Sequence, residues 1–84
     1  GAVLLDLRTK FELRHAGKIE GALHIPIDEL RQRLSELDRQ KEYVPFCAVG
    51  YRGYLGHRIL VQNGFKSKNL SGGIVTYQSA TKTY

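Results

Sequence analysis

The sequence has a single cysteine, Cys47, and no long apolar run. One cysteine cannot form an internal disulfide, so folding needs no oxidising compartment, and we expect a cytoplasmic location where a reactive thiol stays reduced. No stretch approaches the ~20 apolar residues that span a bilayer, and no signal peptide is visible. These absences argue against a membrane partner and against a disulfide-stabilised secreted fold.

The chain also lacks methionine and begins at Gly1, directly before the apolar run Ala2-Val3-Leu4-Leu5. That run is typical of a buried strand, and a natural protein rarely begins within its core. The length of 84 residues suits one small domain with a single modest core. We therefore expect residues 1–84 to form one domain excised from a longer protein.

Acidic residues are few: 8 Asp and Glu stand against 13 Lys and Arg, which gives a net charge of +5. The basic residues are scattered along the chain, whereas a nucleic-acid interface favours a basic stripe with interleaved aromatics. We therefore expect no nucleic-acid partner. A mild attraction of small anionic substrates is the functional consequence of this charge.

Apolar runs and helical patterns alternate along the chain and predict an α/β fold. The spacing predicts a mostly parallel sheet flanked by helices, in which ligands bind beyond the carboxyl ends of the strands. Pro45 cannot donate to a ladder and predicts a partly unpaired position. The predicted strands are 3–7, 22–25, 43–46 and 66–70, and a last segment follows Gly72-Gly73.

Three helical segments are predicted between these strands. Thr9 is a candidate N-cap for a short helix that ends near Ala16. Asp28 is a candidate N-cap for a second helix, whose apolar stripe consists of Leu30, Leu34 and Leu37. The third helix is predicted over residues 52–63, with Gly64 as its C′ residue.

Cys47 follows the predicted strand 43–46 directly and begins a turn that ends at Arg52. Backbone N–H groups converge in such a strand-to-helix turn, and the helix adds its positive end. Both lower a thiol pKa from about 8.5 and produce a nucleophile at neutral pH. The alternative is a small buried hydrophobe, since free cysteine is among the most buried residue types.

Five segments occur in order along the chain: Asp6-Leu7-Arg8, Gly17 to Ala22 with Ile25-Pro26, Cys47 to Arg52, Leu60 to Phe65, and Leu70-Ser71-Gly72-Gly73 followed by Tyr77. Together they resemble a rhodanese domain, and the match covers nearly the whole chain. The stretch from Cys47 to Tyr54, with Arg58-Ile59-Leu60 and Asn69 to Gly73, resembles more specifically the C-terminal rhodanese domain of coenzyme A-disulfide reductase and NADH oxidase-type pyridine nucleotide-disulfide oxidoreductases.

The resemblance implies a sulfurtransferase domain in which Cys47 is catalytic and carries sulfane sulfur as a persulfide. It implies persulfide, polysulfide or coenzyme A persulfide as substrate, and a reductase domain of the parent protein as partner. That parent would use FAD and NAD(P)H, and this domain would hold no cofactor. The implied substrate-binding residues are those of the loop, namely Ala48, Val49, Gly50, Tyr51 and Arg52.

Several alternatives stay open. Four residues separate Cys47 from Arg52, whereas related phosphatases and arsenate reductases have five, so those activities are disfavoured. A non-catalytic interaction module is a further alternative. Arg52 either steers an anionic donor, or pairs with a local carboxylate or caps the loop. Ala48 stands where many sulfurtransferases have arginine, which shifts the expected donor away from thiosulfate.

Two other groups of polar residues are interpreted without a catalytic role. Asp6 and Arg8 are expected to form a buried pair that ties the loop after the first strand. The three histidines show no metal-ligand spacing with one another or with Cys47, so no metal site is predicted. These histidines are His15, His24 and His57.

Overall fold

The structure is a computed structural model that describes residues 1–48 and 51–69. Four short parallel strands form the centre of this described part: β1 (Val3–Asp6), β2 (Leu23–His24), β3 (Glu42–Phe46) and β4 (Lys66–Ser67). Their order in the sheet is β2-β1-β3-β4. The predicted α/β class and the parallel sheet are confirmed. Leu70 and the segment after Gly72-Gly73 lie outside the described residues.

Two α-helices lie where the sequence predicts them: α1 (Lys10–Ala16) and α2 (Tyr51–Gln62). Thr9 caps α1 through its side chain, as expected. After α2, Gly64 has a φ of 84°. The Phe65 N–H donates to the Leu60 carbonyl at 2.9 Å, and the Gly64 N–H donates to the Val61 carbonyl at 3.1 Å. This pair of bonds is a Schellman motif, so the predicted C′ role of Gly64 is confirmed.

The prediction of an α-helix capped by Asp28 is wrong. The chain instead forms two 3₁₀ segments, Ile27–Glu29 and Arg31–Glu36, and neither has a side-chain cap. Backbone N–H groups donate to carbonyls three residues earlier in the chain, as from Leu30 to Ile27 and from Leu37 to Leu34. A 3₁₀-helix has three residues per turn, which matches the spacing from Ile27 to Leu30 and from Leu34 to Leu37. The two segments therefore bury Leu30 and Leu37 without forming a regular α-helix.

Helix α2 packs closely on β3 through two glycines that the sequence pattern did not single out. A Cβ atom on Gly53 would lie 3.2 Å from the Cα atom of Phe46, and one on Gly56 would lie 3.3 Å from the Cβ of Pro45. Ile59 and Leu60 continue the same buried face into the core. The small residues therefore bring the first turns of α2 against the carboxyl end of β3.

Pro45 lies inside β3, opposite Leu5 of β1. The Phe46 carbonyl faces β1, because it accepts from the Leu7 N–H, whereas the Tyr43 carbonyl faces β4 and accepts from Lys68. Since successive residues alternate, the missing donor of Pro45 falls on the β4 side. The described pairing with β4 ends at Tyr43, so the predicted partly unpaired position is confirmed.

No helix within residues 1–48 and 51–69 is long and apolar enough to cross a membrane.

Candidate functional site

Cys47 lies at the carboxyl edge of the parallel sheet, directly after β3. Asp6, the last residue of β1, is the register partner of Phe46, so the loops after both central strands begin at this edge. The thiol is buried, with 0% of the residue exposed. This is the edge at which the sequence predicted a ligand site.

The amino terminus of α2 lies beside Cys47. A Cβ atom on Gly53 would be 3.7 Å from the backbone nitrogen of Cys47, which places the first turn of the helix against the cysteine. The first four N–H groups of a helix have no partner within it, and their partial positive charge favours an anion nearby. The position of Cys47 can therefore stabilise a negative charge on sulfur.

Arg52 forms a two-pronged ion pair with Glu12 of α1. Its Nη1 and Nη2 atoms donate to Glu12 Oε1 at 2.6 Å and to Oε2 at 2.7 Å. The hydrogen bond from Arg52 is the main reason that the pKa of Glu12 falls from 4.5 to about 2, and the Thr9 N–H lowers it further. Arg52 thus pairs with a carboxylate, as one of its predicted alternatives has it, but that carboxylate lies 40 residues away in the chain.

The guanidinium group of Arg52 also interacts with Cys47. The hydrogen bond from Arg52 to Glu12 is the largest cause that raises the pKa of Arg52, while burial opposes it. The charge of Glu12 adds to the increase, followed by the charge of Cys47 and a hydrogen bond with it. Arg52 is therefore a cation shared between a fixed carboxylate and the cysteine.

Glu12 is the residue of this site that the sequence interpretation missed. It is the third residue of α1, and its side chain accepts from the Thr9 N–H at 2.9 Å while Thr9 Oγ1 accepts from the Glu12 N–H at 3.1 Å. The Thr-x-x-Glu spacing of this capping box is visible in the sequence. Because α1 starts just after β1, the spacing also places the carboxylate near the edge that carries Cys47.

The structure describes three of the five predicted substrate-binding residues. Ala48 is a half-buried bend residue next to Cys47, and Tyr51 and Arg52 begin α2. Tyr51 is 70% exposed, so its ring faces solvent. Val49 and Gly50 lie outside the described residues.

Asp6 and Arg8 form a second ion pair at the same edge. Arg8 Nη2 donates to Asp6 Oδ2 at 2.9 Å, Arg8 Nε donates to Asp6 Oδ1 at 3.0 Å, and Nη2 also donates to the Gly17 carbonyl at 3.0 Å. Both residues are buried. The expected buried pair is confirmed: it ties the loop after β1 to the end of α1.

Comparison with known proteins gives a consistent result. A family model described as "Rhodanese-like domain" matches residues 1–80. A protein of Allochromatium vinosum named "Sulfurtransferase" is 34% identical over 76 residues, which are 89% of this chain and 70% of the relative.

Two solved structures of larger proteins contain a similar domain. The reduced Bacillus anthracis CoADR-RHD, which includes the rhodanese domain of a coenzyme A-disulfide reductase, superposes with a TM-score of 0.85 and 42% identity, over 94% of this chain and 14% of that one. A NAD-dependent persulfide reductase from A. fulgidus gives a TM-score of 0.75 and 43% identity, over 90% and 14% of the two chains. In both cases the similarity covers a small part of the larger protein.

Proposed function

The chain belongs to the rhodanese-like domain family, and we propose that Cys47 carries sulfane sulfur as a persulfide and transfers it to an acceptor thiol. The observation that carries the proposal is the position of Cys47 at the carboxyl end of β3, against the first turn of α2 and in contact with Arg52. A helix amino terminus and a guanidinium both favour the thiolate, which is the nucleophilic form.

Loading is a displacement at sulfur. The Cys47 thiolate attacks the outer sulfur of a protonated persulfide, R–S–SH, and the S–S bond of the donor breaks. The donor leaves as the thiolate R–S⁻, and the proton stays on the sulfur that Cys47 has gained before passing to solvent. One bond forms and one breaks, so the step consumes no external oxidant or reductant.

Unloading is the same displacement in the opposite sense. The outer sulfur regains a proton from solvent, an acceptor thiolate attacks it, and the bond between that sulfur and Cys47 Sγ breaks; Cys47 leaves as a thiolate and the acceptor departs as the protonated persulfide. The amides of the loop are the proposed donors to the anionic outer sulfur. They belong to Ala48, Val49, Gly50, Tyr51 and Arg52.

Persulfides and polysulfides are the proposed substrates, coenzyme A persulfide among them. Support comes from the relative named as a sulfurtransferase and from the domain shared with a persulfide reductase. A parent reductase domain is the proposed partner, and FAD and NAD(P)H would be bound there. The residues of this chain supply only the sulfur-transfer steps above.

The first test compares the wild-type domain with Cys47→Ser, using polysulfide as donor and cyanide as acceptor. Thiocyanate formation above the uncatalysed rate is expected for the wild type and not for the variant. A variant that keeps the wild-type rate would overturn the proposal. An aryl phosphate assayed in parallel should show no turnover; turnover that depends on Cys47 would favour the phosphatase alternative.

A second candidate, a non-catalytic interaction module, is favoured by one observation: Cys47 is fully buried. Sulfur transfer at a buried thiol requires local opening that admits the donor. Alkylation of the folded domain by iodoacetamide at pH 6 separates the two candidates. Reaction well above that of a free thiol with a pKa near 8.5 supports a carrier, whereas slower reaction favours the module.

A further inference from the structure

A groove of about 710 Å³ lies between the 3₁₀ segments and α2. Its volume falls in the range of small-molecule sites, roughly 300–1,000 Å³. Leu55 and Ile59 of α2 and Ile27 of the first 3₁₀ segment give it apolar lining. The groove meets the sulfur site at Arg52, which lines it and also interacts with Cys47.

The charge of the groove is positive. Arg31 and Arg58 line it, and Asp28 is the one acidic residue among its described lining residues. The Arg31 side chain forms no hydrogen bond or ion pair with the described residues. The Cζ atom of Arg58 lies 6.0 Å from the centroid of the Tyr54 ring. In contrast, Arg52 is already paired with Glu12. Two exposed guanidinium groups thus remain for an anionic ligand.

The helix sets the distance between the two ends of the groove. Arg58 follows Arg52 by six residues, which corresponds to about 9 Å along the axis of α2. Because these backbone positions are this far apart, we expect Arg58 to be reached more readily by a thiol that carries its anionic group at the end of a flexible chain than by a short thiol acid.

We propose that this groove binds the anionic end of an extended thiol, and so selects the acceptor that takes sulfur from Cys47. The inference rests on the proposed function, because the acceptor thiolate performs the unloading displacement described above. Arginine pairs with carboxylate and phosphate by the same two-pronged geometry, so the shared chemistry is an anion at the end of a flexible chain. The apolar lining would contact that chain.

The test uses pairs of acceptors in which one member carries an anionic group that the other lacks. Glutathione is compared with its diethyl ester for carboxylates, and 4′-phosphopantetheine with pantetheine for phosphate. A third pair, 3-mercaptopropionate and 2-mercaptoethanol, provides the short-chain comparison. For each pair, kcat/KM for removal of sulfur from loaded Cys47 is measured at low ionic strength, after correction for the thiol pKa of each acceptor.

The double variant Arg31→Gln/Arg58→Gln tests the assignment to this groove. Its matched control, Arg14→Gln/Lys68→Gln, loses the same two positive charges from exposed positions elsewhere. We expect the wild type and the control to prefer at least one long anionic thiol over the partner that lacks the anionic group. The groove variant should lose roughly fivefold of that preference for each arginine removed. The short pair should show no change with the groove variant.

Each result is decisive because loading is measured first, by the mass of Cys47 after donor treatment. Absence of loading in the wild type would contradict the proposed function itself. Normal loading without a preference for long anions, or an equal loss of preference in the control, would overturn only the groove assignment. Preference for the carboxylate or the phosphate pair identifies the source of the anion.

Discussion

Two arginine–carboxylate pairs lie at the same edge of the sheet and differ in nearly every other respect. Asp6 and Arg8 are two residues apart, and their side chains are 2% and 4% exposed. Glu12 and Arg52 are 40 residues apart, and their side chains are 29% and 26% exposed. The first pair holds the loop after β1 against the end of α1, whereas the second joins α1 to α2 beside Cys47.

Their different burial and positions suit the first pair to stabilising the fold and the second pair to acting on the thiol. A buried pair that loses one partner leaves a charge without compensation, which is costly, whereas a partly exposed pair is worth little to folding. The second pair includes a residue that interacts with Cys47. We therefore expect changes at Asp6 to unfold the domain, and changes at Glu12 to alter the thiol.

The largest effect is expected for Asp6→Asn. The substitution leaves the Arg8 guanidinium buried without its carboxylate, and should lower the free energy of unfolding by about 3–5 kcal/mol. Urea denaturation followed by circular dichroism measures this change. Asp28→Asn, at an exposed position, is the control and should stay within about 0.5 kcal/mol. Equal effects of the two substitutions would refute the structural importance of the Asp6–Arg8 pair.

Glu12→Gln should change the unfolding free energy by about 1 kcal/mol or less, since the pair is partly exposed and glutamine retains the capping box. Its main effect is on Cys47. Removing one negative charge beside Arg52 leaves more positive potential at the thiol, so the midpoint of alkylation against pH should move down by about 0.5 unit. An upward shift, or a loss of stability as large as that of Asp6→Asn, would contradict the division between the two pairs.

Lowering the pH should give the smallest effect on stability, and the one most specific to the Glu12–Arg52 pair. The folded-state pKa of Glu12 is lowered from 4.5 to about 2. Its contribution to stability is therefore present above pH 4.5 and is lost as the pH falls from 4.5 towards 2. Urea titrations at several pH values should show the wild type and Glu12→Gln converging over this interval. A difference in stability that stays constant down to pH 2 would show that the ion pair does not contribute.

Much of the fold could be predicted from local sequence patterns. The strands, both α-helices, the Gly64 terminus and the Asp6–Arg8 pair all depend on residues close together in the chain. The same reasoning predicted an α-helix where the chain forms 3₁₀ segments. There the spacing of Ile27, Leu30, Leu34 and Leu37 fits both an α-helix and a 3₁₀-helix. The hydrogen bonds to carbonyls three residues earlier show that the chain adopts the 3₁₀ form.

The features that sequence patterns did not predict depend on distant residues. Cys47 and Arg52 are close in the chain and were singled out, but Glu12 reaches Arg52 from 40 residues away. Gly53 and Gly56 resemble ordinary helix residues until β3 packs against them. A capping box explains why Glu12 stands at the start of α1. Only the sheet order, with β1 beside β3, shows that the same carboxylate lies at the edge that carries Cys47.

The central claim, that Cys47 is a sulfur carrier, is tested most directly by intact-mass spectrometry of the domain after treatment with a polysulfide donor. We expect the wild-type chain to gain about 32 Da, the mass of one sulfur atom, on Cys47, and to lose it when an acceptor thiol is added. The Cys47→Ser chain should gain nothing. A wild-type domain that remains folded and gains no sulfur from the donor would contradict the account.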